Sequence, residues 1–205
     1  MIGEPGHWPG FLLGNRAGSD RGDCMHRLFA ALPIPDALAD RLDPLRIDLF
    51  GARWRRRDHY HVTLCFYGSV DGEIANELAD ALEELNAPAM PIELSGVGWF
   101  GRREPRALYA RIKDHDPLHA LASECRKLAR RFDLKLGQDP FLPHITVAYC
   151  NQTPLEDVRT WSEDFQVLKS EPYLVDTFHL YESFTGHRRQ SQYVPQADYQ
   201  LGGIN

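Results

Sequence analysis

Apolar positions along the chain switch repeatedly between the two-residue period of strands and the longer period of helices. Three amphipathic helices are predicted: one running from Asp36 through Leu49, one capped by Asp71, and one capped by Asp116. Strands are predicted at 26–35, 59–68, 92–101, 106–112, 143–150, 165–170, 174–183 and 191–195, and a short helix or turn at 155–162.

This alternation of strands and helices predicts an α+β fold, with antiparallel or mixed sheets and helices on their outer faces. Residues 1–24 contain six glycines and two prolines, and they lack the basic start and the long apolar stretch of a signal peptide. This composition is typical of a flexible N-terminal tail. The patterned sequence begins at residue 25, so 25–205 is predicted to form the folded domain.

Two of the predicted strands carry matching sequences, HVTLCF at 61–66 and HITVAY at 144–149. Alternate strand residues share a face, so each His lies on the same face as the Thr two positions later. Strict alternation also places a small residue on the same face as each His and Thr, namely Cys65 in the first strand and Ala148 in the second. The opposite, apolar faces are Val62, Leu64 and Phe66 in one strand and Ile145, Val147 and Tyr149 in the other.

Two histidines facing each other suit a reaction that takes one proton and gives another. Imidazole titrates near pH 6.5, so one neutral and one charged copy coexist near neutral pH. His61 and His144 are therefore the candidate acid/base pair. The hydroxyls of Thr63 and Thr146 can donate hydrogen bonds to non-bridging oxygens of a charged transition state. A phosphodiester matches this division of roles.

Composition limits the environment and the partners. The formal charge of −6 at pH 7 argues against a broad surface that coats nucleic acid, though it leaves room for a local basic cleft. No apolar run approaches the ~18 residues that a membrane span needs, so no membrane association is predicted. The four cysteines show no paired spacing, which favours a reducing cytoplasm.

Two pairs of histidines have spacings that metal sites also use: His59 with His61 on one strand, and His115 with His119 on the third helix. A catalytic zinc normally needs three protein ligands, and no nearby carboxylate or cysteine completes either set. We therefore expect no metal and no other cofactor. His115 is interpreted as a residue at the start of the helix and His119 as facing solvent.

The motifs and their order resemble the 2H phosphoesterase superfamily, whose members carry two H-x-T/S motifs. RLFAALPIP resembles the opening strand of the family, HVTLCFYG its first motif, FLPHITVAY its second, and FHLYES with YVP its C-terminal strands. The resemblance covers about 26–196. It is strongest for the RNA 2′,3′-cyclic phosphodiesterases, also called 2′-5′ RNA ligases.

The resemblance implies a bilobal fold in which each lobe brings one motif strand to a central cleft. It also implies metal-independent opening of a 2′,3′-cyclic phosphate to a 2′-phosphomonoester, with possible 2′-5′ ligation. On this template His61 is the acid toward the departing 3′ oxygen, His144 is the base toward water, and Thr63 and Thr146 bind phosphate. Tyr149 lies where some relatives carry a basic residue.

Substrate contacts beyond the motifs are predicted at Arg53, Phe141 and Tyr149. Arg53 opens the basic run RWRRR at 53–57, which leads into the first motif, and such a run can attract the end of an RNA. Phe141 precedes the second motif and could stack on a base. The expected partners are RNA ends or nucleotides with a 2′,3′-cyclic phosphate, bound by a monomer.

Two other functions fit the same residues. One is a non-catalytic module that binds RNA ends on this scaffold. The other is a metallohydrolase that uses His59 and His61.

Overall fold

The computed structural model describes residues 25–184 and 191–202. The elements follow in the order β1 (His26–Pro33), α1 (Asp36–Asp40), β2 (Ala52–Trp54), β3 (His61–Val70), α2 (Gly72–Glu83), β4 (Met90–Ile92), β5 (Leu94–Phe100), β6 (Ala107–Ile112), α3 (Asp116–Arg131), β7 (His144–Cys150), α4 (Leu155–Phe165), β8 (Tyr173–Val175), β9 (Thr177–Phe184) and β10 (Gln192–Gln200). The predicted tail at 1–24 lies outside the described residues, and its flexibility stays a prediction.

Eight strands form one antiparallel sheet in the order β10-β9-β1-β3-β7-β6-β5, with β2 also paired to β7. Strands β4 and β8 form a second, two-stranded sheet. The central strands β3 and β7 share a single residue pair, Val62 with Ile145. The large sheet therefore has two halves, each with one of the matching strands, and the predicted α+β class is confirmed.

Helices α2 and α3 lie where the amphipathic patterns of the sequence predicted helices. Asp71 caps α2, because its Oδ1 accepts a hydrogen bond from the Ile74 N–H at 2.9 Å. The buried residues of the amphipathic α3 are Leu118, Leu121, Ala122, Cys125 and Ala129. These side chains pack into a core shared with the buried face of β3.

The cap of α3 is His115, and the prediction of Asp116 was wrong. The Nδ1 atom of His115 accepts from the Leu118 N–H at 3.4 Å, so the helix begins one residue earlier than a cap at Asp116 would have placed it. Asp116 then occupies the first turn, where a carboxylate is favourable to the helix dipole. The interpretation of His115 as a helix-entry residue is confirmed.

The first predicted helix, expected from Asp36 through Leu49, is much shorter in the structure. It ends at Asp40, and a short 3₁₀ turn at Asp43–Leu45 follows. Pro44 has no N–H to continue an α-helix. Four leucines that recur at helical spacing in this segment are nevertheless buried: Leu38, Leu42, Leu45 and Leu49. Burial of these side chains, rather than helix continuity, explains the spacing.

The C-terminal predictions were partly wrong. Helix α4 extends through Phe165, and the predicted strand at 165–170 is reduced to one bridge between Lys169 and Ser95. Strand β10 runs to Gln200, well past the predicted end at 195, since an edge strand tolerates the missing N–H of Pro195. Within the described part of the chain, no helix is long and apolar enough to cross a membrane.

The cap of α2 gives a test of the fold. Replacing Asp71 with Ala should lower the free energy of unfolding by about 1 kcal/mol, because the Ile74 N–H loses its acceptor. Asp71→Asn, which keeps an acceptor oxygen, should lose much less. Urea denaturation measures both values, and equal stability of the Ala variant and the parent would contradict the capping contact.

Candidate active site

The two motif histidines have the same local hydrogen bond. Nδ1 of His61 lies 2.9 Å from the carbonyl oxygen of His59, and Nδ1 of His144 lies 2.6 Å from the carbonyl oxygen of Leu142. A carbonyl oxygen only accepts, so Nδ1 must be the protonated nitrogen in both rings. In the neutral imidazoles, Nε2 is then the nitrogen with a free lone pair.

The junction between β3 and β7 brings the two motifs together. Antiparallel continuation of the Val62–Ile145 pair sets His61 beside Thr146 and Thr63 beside His144. Each histidine therefore neighbours the threonine of the other motif. We call the sheet surface that carries these two histidines and two threonines the motif face. Among the described residues, neither threonine hydroxyl takes part in a side-chain hydrogen bond, so both can serve a ligand.

Both motif strands shift register just after the threonine, as at a β-bulge. Leu64 has no partner residue in the pairing of β3 with β1, and Val147 has none in the pairing of β7 with β6. Such an extra residue reverses the alternation of side chains. The prediction that Cys65 and Ala148 lie on the motif face was therefore wrong, since both are buried.

The aromatic residue that follows Cys65 or Ala148 in each strand is exposed on the motif face. Phe66 is 44% exposed and Tyr149 is 39% exposed, although strict alternation placed both on the apolar face. The Arg27 guanidinium lies 5.0 Å from the ring centroid of Phe66. The reversal thus gives each half of the motif face an aromatic side chain beyond its His and Thr.

Aromatic rings surround both imidazoles. The ring centroid of His61 lies 5.0 Å from Phe29, 5.2 Å from Tyr193 and 6.1 Å from Tyr181. His144 lies 4.9 Å from Phe100 and 5.3 Å from Tyr109. These contacts fix the ring orientation that the backbone hydrogen bonds begin to set.

Gly98 makes room for one of these rings. A Cβ atom at this position would lie 2.6 Å from Cζ of Tyr109, far inside the contact distance. Gly98 pairs with Tyr109 across β5 and β6, and Tyr109 in turn pairs with Thr146. The absence of a side chain at 98 therefore allows the tyrosine to lie against Phe100 and His144.

Burial makes both imidazoles weak bases in the free protein. For His61, burial lowers the pKa to about 4, the hydrogen bond to His59 opposes this change, and the nearby charges of Arg55 and His144 add to it. Burial also lowers the pKa of His144, again against the effect of its backbone hydrogen bond. At neutral pH both rings are therefore neutral before a ligand binds.

Arg55 is the residue of this region that the sequence did not single out. Its side chain is only 3% exposed, and its Cζ lies 5.2 Å from the ring centroids of both Tyr149 and Tyr193. Arg53, which was predicted to contact substrate, is exposed and pairs with Tyr149 across β2 and β7. A strand period within 53–57 gives Arg53 and Arg55 the same face, but it does not show which of them is enclosed.

The other predicted contacts differ in position. Tyr149 lies beside Arg55 on the motif face. Phe141 packs against the core and against His119, with ring centroids 5.3 Å apart. The ring of Phe141 therefore lies against that of His119, whereas the ring of Tyr149 lies against Arg55. Their roles as substrate contacts stay predictions.

The histidines with metal-like spacing have other structural roles. His59 is buried, its ring lies 5.2 Å from Tyr193, and its carbonyl receives the hydrogen bond from His61. His115 caps α3, and the exposed His119 pairs with Asp114 at 2.8 Å. Across residues 25–184 and 191–202, no group of three His, Cys, Asp or Glu side chains could hold a metal ion.

The chain is thus an α+β protein whose large sheet has two halves, and each half carries one H-x-T motif on the strand next to the junction. E. coli LigT in its apo form has the same fold, with a TM-score of 0.72, 23% identity and coverage of 89% of this chain and 100% of that chain. The Thermus thermophilus protein TT0787 also has this fold, with a TM-score of 0.66, 22% identity and coverage of 87% of this chain and 100% of that chain.

The chain belongs to the 2′-5′ RNA ligase superfamily, whose family model matches residues 34–186. A relative from Thermotoga maritima named RNA 2′,3′-cyclic phosphodiesterase is 28% identical over 139 residues, which are 65% of this chain and 72% of that protein. A protein of the same name from Geobacillus stearothermophilus is 32% identical over 98 residues, 46% of this chain and 31% of its own length. The resemblance inferred from the motifs is confirmed.

The reversal of alternation in β3 can be tested by thiol reactivity. In a Cys24→Ser, Cys150→Ser background, Cys65 and Cys125 should resist a thiol reagent at pH 8 while the protein is folded, because both are buried and burial raises the pKa of each to about 12. Denaturant should expose both thiols. Rapid labelling of Cys65 in the folded protein would instead place it on the motif face, as strict alternation predicts.

Proposed function

We propose that the chain is a metal-independent phosphodiesterase that opens 2′,3′-cyclic phosphates at RNA or nucleotide ends to 2′-phosphomonoesters. One observation carries the proposal: two imidazoles, each with Nδ1 bonded to a carbonyl and Nε2 left for proton transfer, on one face of the β3–β7 junction. The names of the curated relatives support the same substrate class.

Hydrolysis needs one proton removed and one supplied. Neutral His144 takes a proton from water at Nε2 as the water oxygen bonds to phosphorus. The bond between phosphorus and the 3′ oxygen breaks, and protonated His61 gives its Nε2 proton to that oxygen. The products are a 2′-phosphomonoester and a 3′-hydroxyl. A ribose 5′-hydroxyl in place of water gives a 2′-5′ linkage by the same proton transfers.

His61 must carry a second proton before it can act as the acid. In the free protein burial opposes this, since it lowers the pKa of the imidazole to about 4. A bound phosphodiester brings a negative charge next to the ring, and a nearby opposite charge favours the protonated form. Substrate binding thus favours the protonated form of His61, and the protein takes up a proton when the substrate binds.

The remaining residues of the motif face supply binding. Thr63 and Thr146 donate hydrogen bonds from their hydroxyls to the non-bridging oxygens, where negative charge develops in the transition state. Tyr149 and Phe66 are exposed aromatic rings beyond the two threonines. Such rings stack on bases with little sequence preference.

Replacing either histidine tests the acid/base pair. His61→Ala and His144→Ala should each lower kcat for a 2′,3′-cyclic nucleotide by about 10²- to 10⁴-fold, because each removes one proton-transfer group. His119→Ala, an exposed histidine away from the motifs, is the matched control and should turn over like the parent.

Turnover within tenfold of the parent in either motif variant would rule out the two-histidine mechanism. Tight binding of a cyclic-phosphate oligonucleotide by the parent, with no product over hours, would instead support a non-catalytic RNA-end-binding module.

The pH dependence follows from the lowered pKa values. The base works only above its pKa and the acid only below its own, so kcat/KM, which reports the free protein, should peak below pH 6.5 because both pKa values are lowered. The profile of kcat should peak at higher pH, since bound phosphate raises both values. A kcat/KM profile that still rises above pH 7 would contradict this electrostatic account.

A further inference from the structure

Arg55 is a buried cation that has no anionic partner among the described residues. Its side chain is 3% exposed, and within residues 25–184 and 191–202 it forms no salt bridge. Its Nη2 atom is buried and has no hydrogen-bond partner. Burial of an unpaired charge is costly, and native proteins almost always pair it with an opposite charge. The lack of an anionic partner in the described part of the chain is therefore the feature that needs an explanation.

Two tyrosines compensate part of this cost. The Arg55 Cζ lies 5.2 Å from each of the ring centroids of Tyr149 and Tyr193, a geometry in which aromatic faces attract a guanidinium. Tyr149 comes from β7 and Tyr193 from β10, so the two halves of the sheet hold the side chain together. Aromatic faces stabilise the charge, but they leave the N–H groups of Nη2 without an acceptor and able to bind an anion.

The cation lies next to the motif face. Tyr193 contacts Arg55 and also contacts His61, with ring centroids 5.2 Å apart and nearly perpendicular. The charge of Arg55 is near enough to contribute to the lowered pKa of His61. On the other side, Tyr149 belongs to the strand that carries His144 and Thr146. Arg55 is thus enclosed by rings that belong to the surroundings of both motifs.

We propose that Arg55 binds the phosphate group of the substrate through its unpaired guanidinium N–H groups, with Tyr149 and Tyr193 as the residues that position it. This inference rests on the proposed phosphodiesterase function and adds to it the residue that neutralises the substrate charge. Guanidinium presents donors in a planar fork that fits two phosphate oxygens at once. The charge is held in place before the substrate arrives, so little reorganisation accompanies binding.

The test compares Arg55→Met with Arg56→Met. Arg56 is the adjacent arginine, exposed and paired with Asp58 at 2.8 Å, and it is the matched control. Inorganic phosphate, at fixed ionic strength, should raise the Tm of the parent and of Arg56→Met, and it should fail to raise the Tm of Arg55→Met. On a 2′,3′-cyclic nucleotide, Arg55→Met should lose about 100-fold in kcat/KM while Arg56→Met matches the parent.

A purely structural role would give a different result. Without phosphate, Arg55→Met should melt at or above the Tm of the parent, because replacing a buried unpaired charge with an apolar side chain is often stabilising. If Arg55→Met fails to fold, Arg55→Lys keeps the charge and loses the planar fork, and its affinity for phosphate should fall roughly tenfold. Parental phosphate binding by Arg55→Lys or Arg55→Met would overturn the proposal, as would a parent that phosphate does not stabilise.

The two proposals fail separately. Phosphate binding needs no turnover, so His144→Ala should keep the phosphate-induced rise in Tm. If the parent has no cyclic phosphodiesterase activity but its phosphate response disappears in Arg55→Met, the function is wrong and the anion site stands. If the parent is active and Arg55→Met is equally active, the inference about Arg55 is wrong and the function stands.

Discussion

The site depends on the single residue pair by which strand β3 joins strand β7, the antiparallel pair of Val62 and Ile145. Both side chains are 0% exposed, so the junction is fixed by burial on the core side while the neighbouring residues turn to the opposite face. A shift of one residue in either strand would turn the side chains of that strand to the opposite face, and its motif histidine would then point into the core. Burial of two aliphatic side chains therefore sets the position of two catalytic candidates.

The electrostatics of the motif face suit an anion. Both imidazoles are neutral in the free protein because burial lowers their pKa values, and the one buried charge among them, Arg55, has no carboxylate partner in the described structure. A phosphodiester would supply the missing negative charge and would raise the pKa of His61 at the same time. Under the proposed function, substrate binding and protonation of the acid would then be one event, in a site where aromatic rings surround both candidate histidines.

The sequence was sufficient for the features that follow from local periodicity. The faces of His61 and Thr63, the capped helix after Asp71 and the α+β class all rest on spacing that tertiary structure did not override. The skipped residues in β3 and β7 could not be predicted, because no glycine marks them and each depends on pairing with a distant strand. The enclosure of Arg55 could not be predicted either, because Tyr149 and Tyr193 come from strands that are far apart in the sequence, and a local pattern does not show that both lie against one guanidinium.

The most direct measurement is the identity of the product formed from a 2′,3′-cyclic nucleotide, followed by phosphorus NMR with and without a metal chelator. Two histidines acting on a phosphate held at the β3–β7 junction predict a single product, the 2′-phosphomonoester, at the same rate in both conditions. Formation of the 3′-phosphomonoester would contradict the assignment of the leaving oxygen. Activity that the chelator abolishes and zinc restores would contradict the central claim and favour a metallohydrolase.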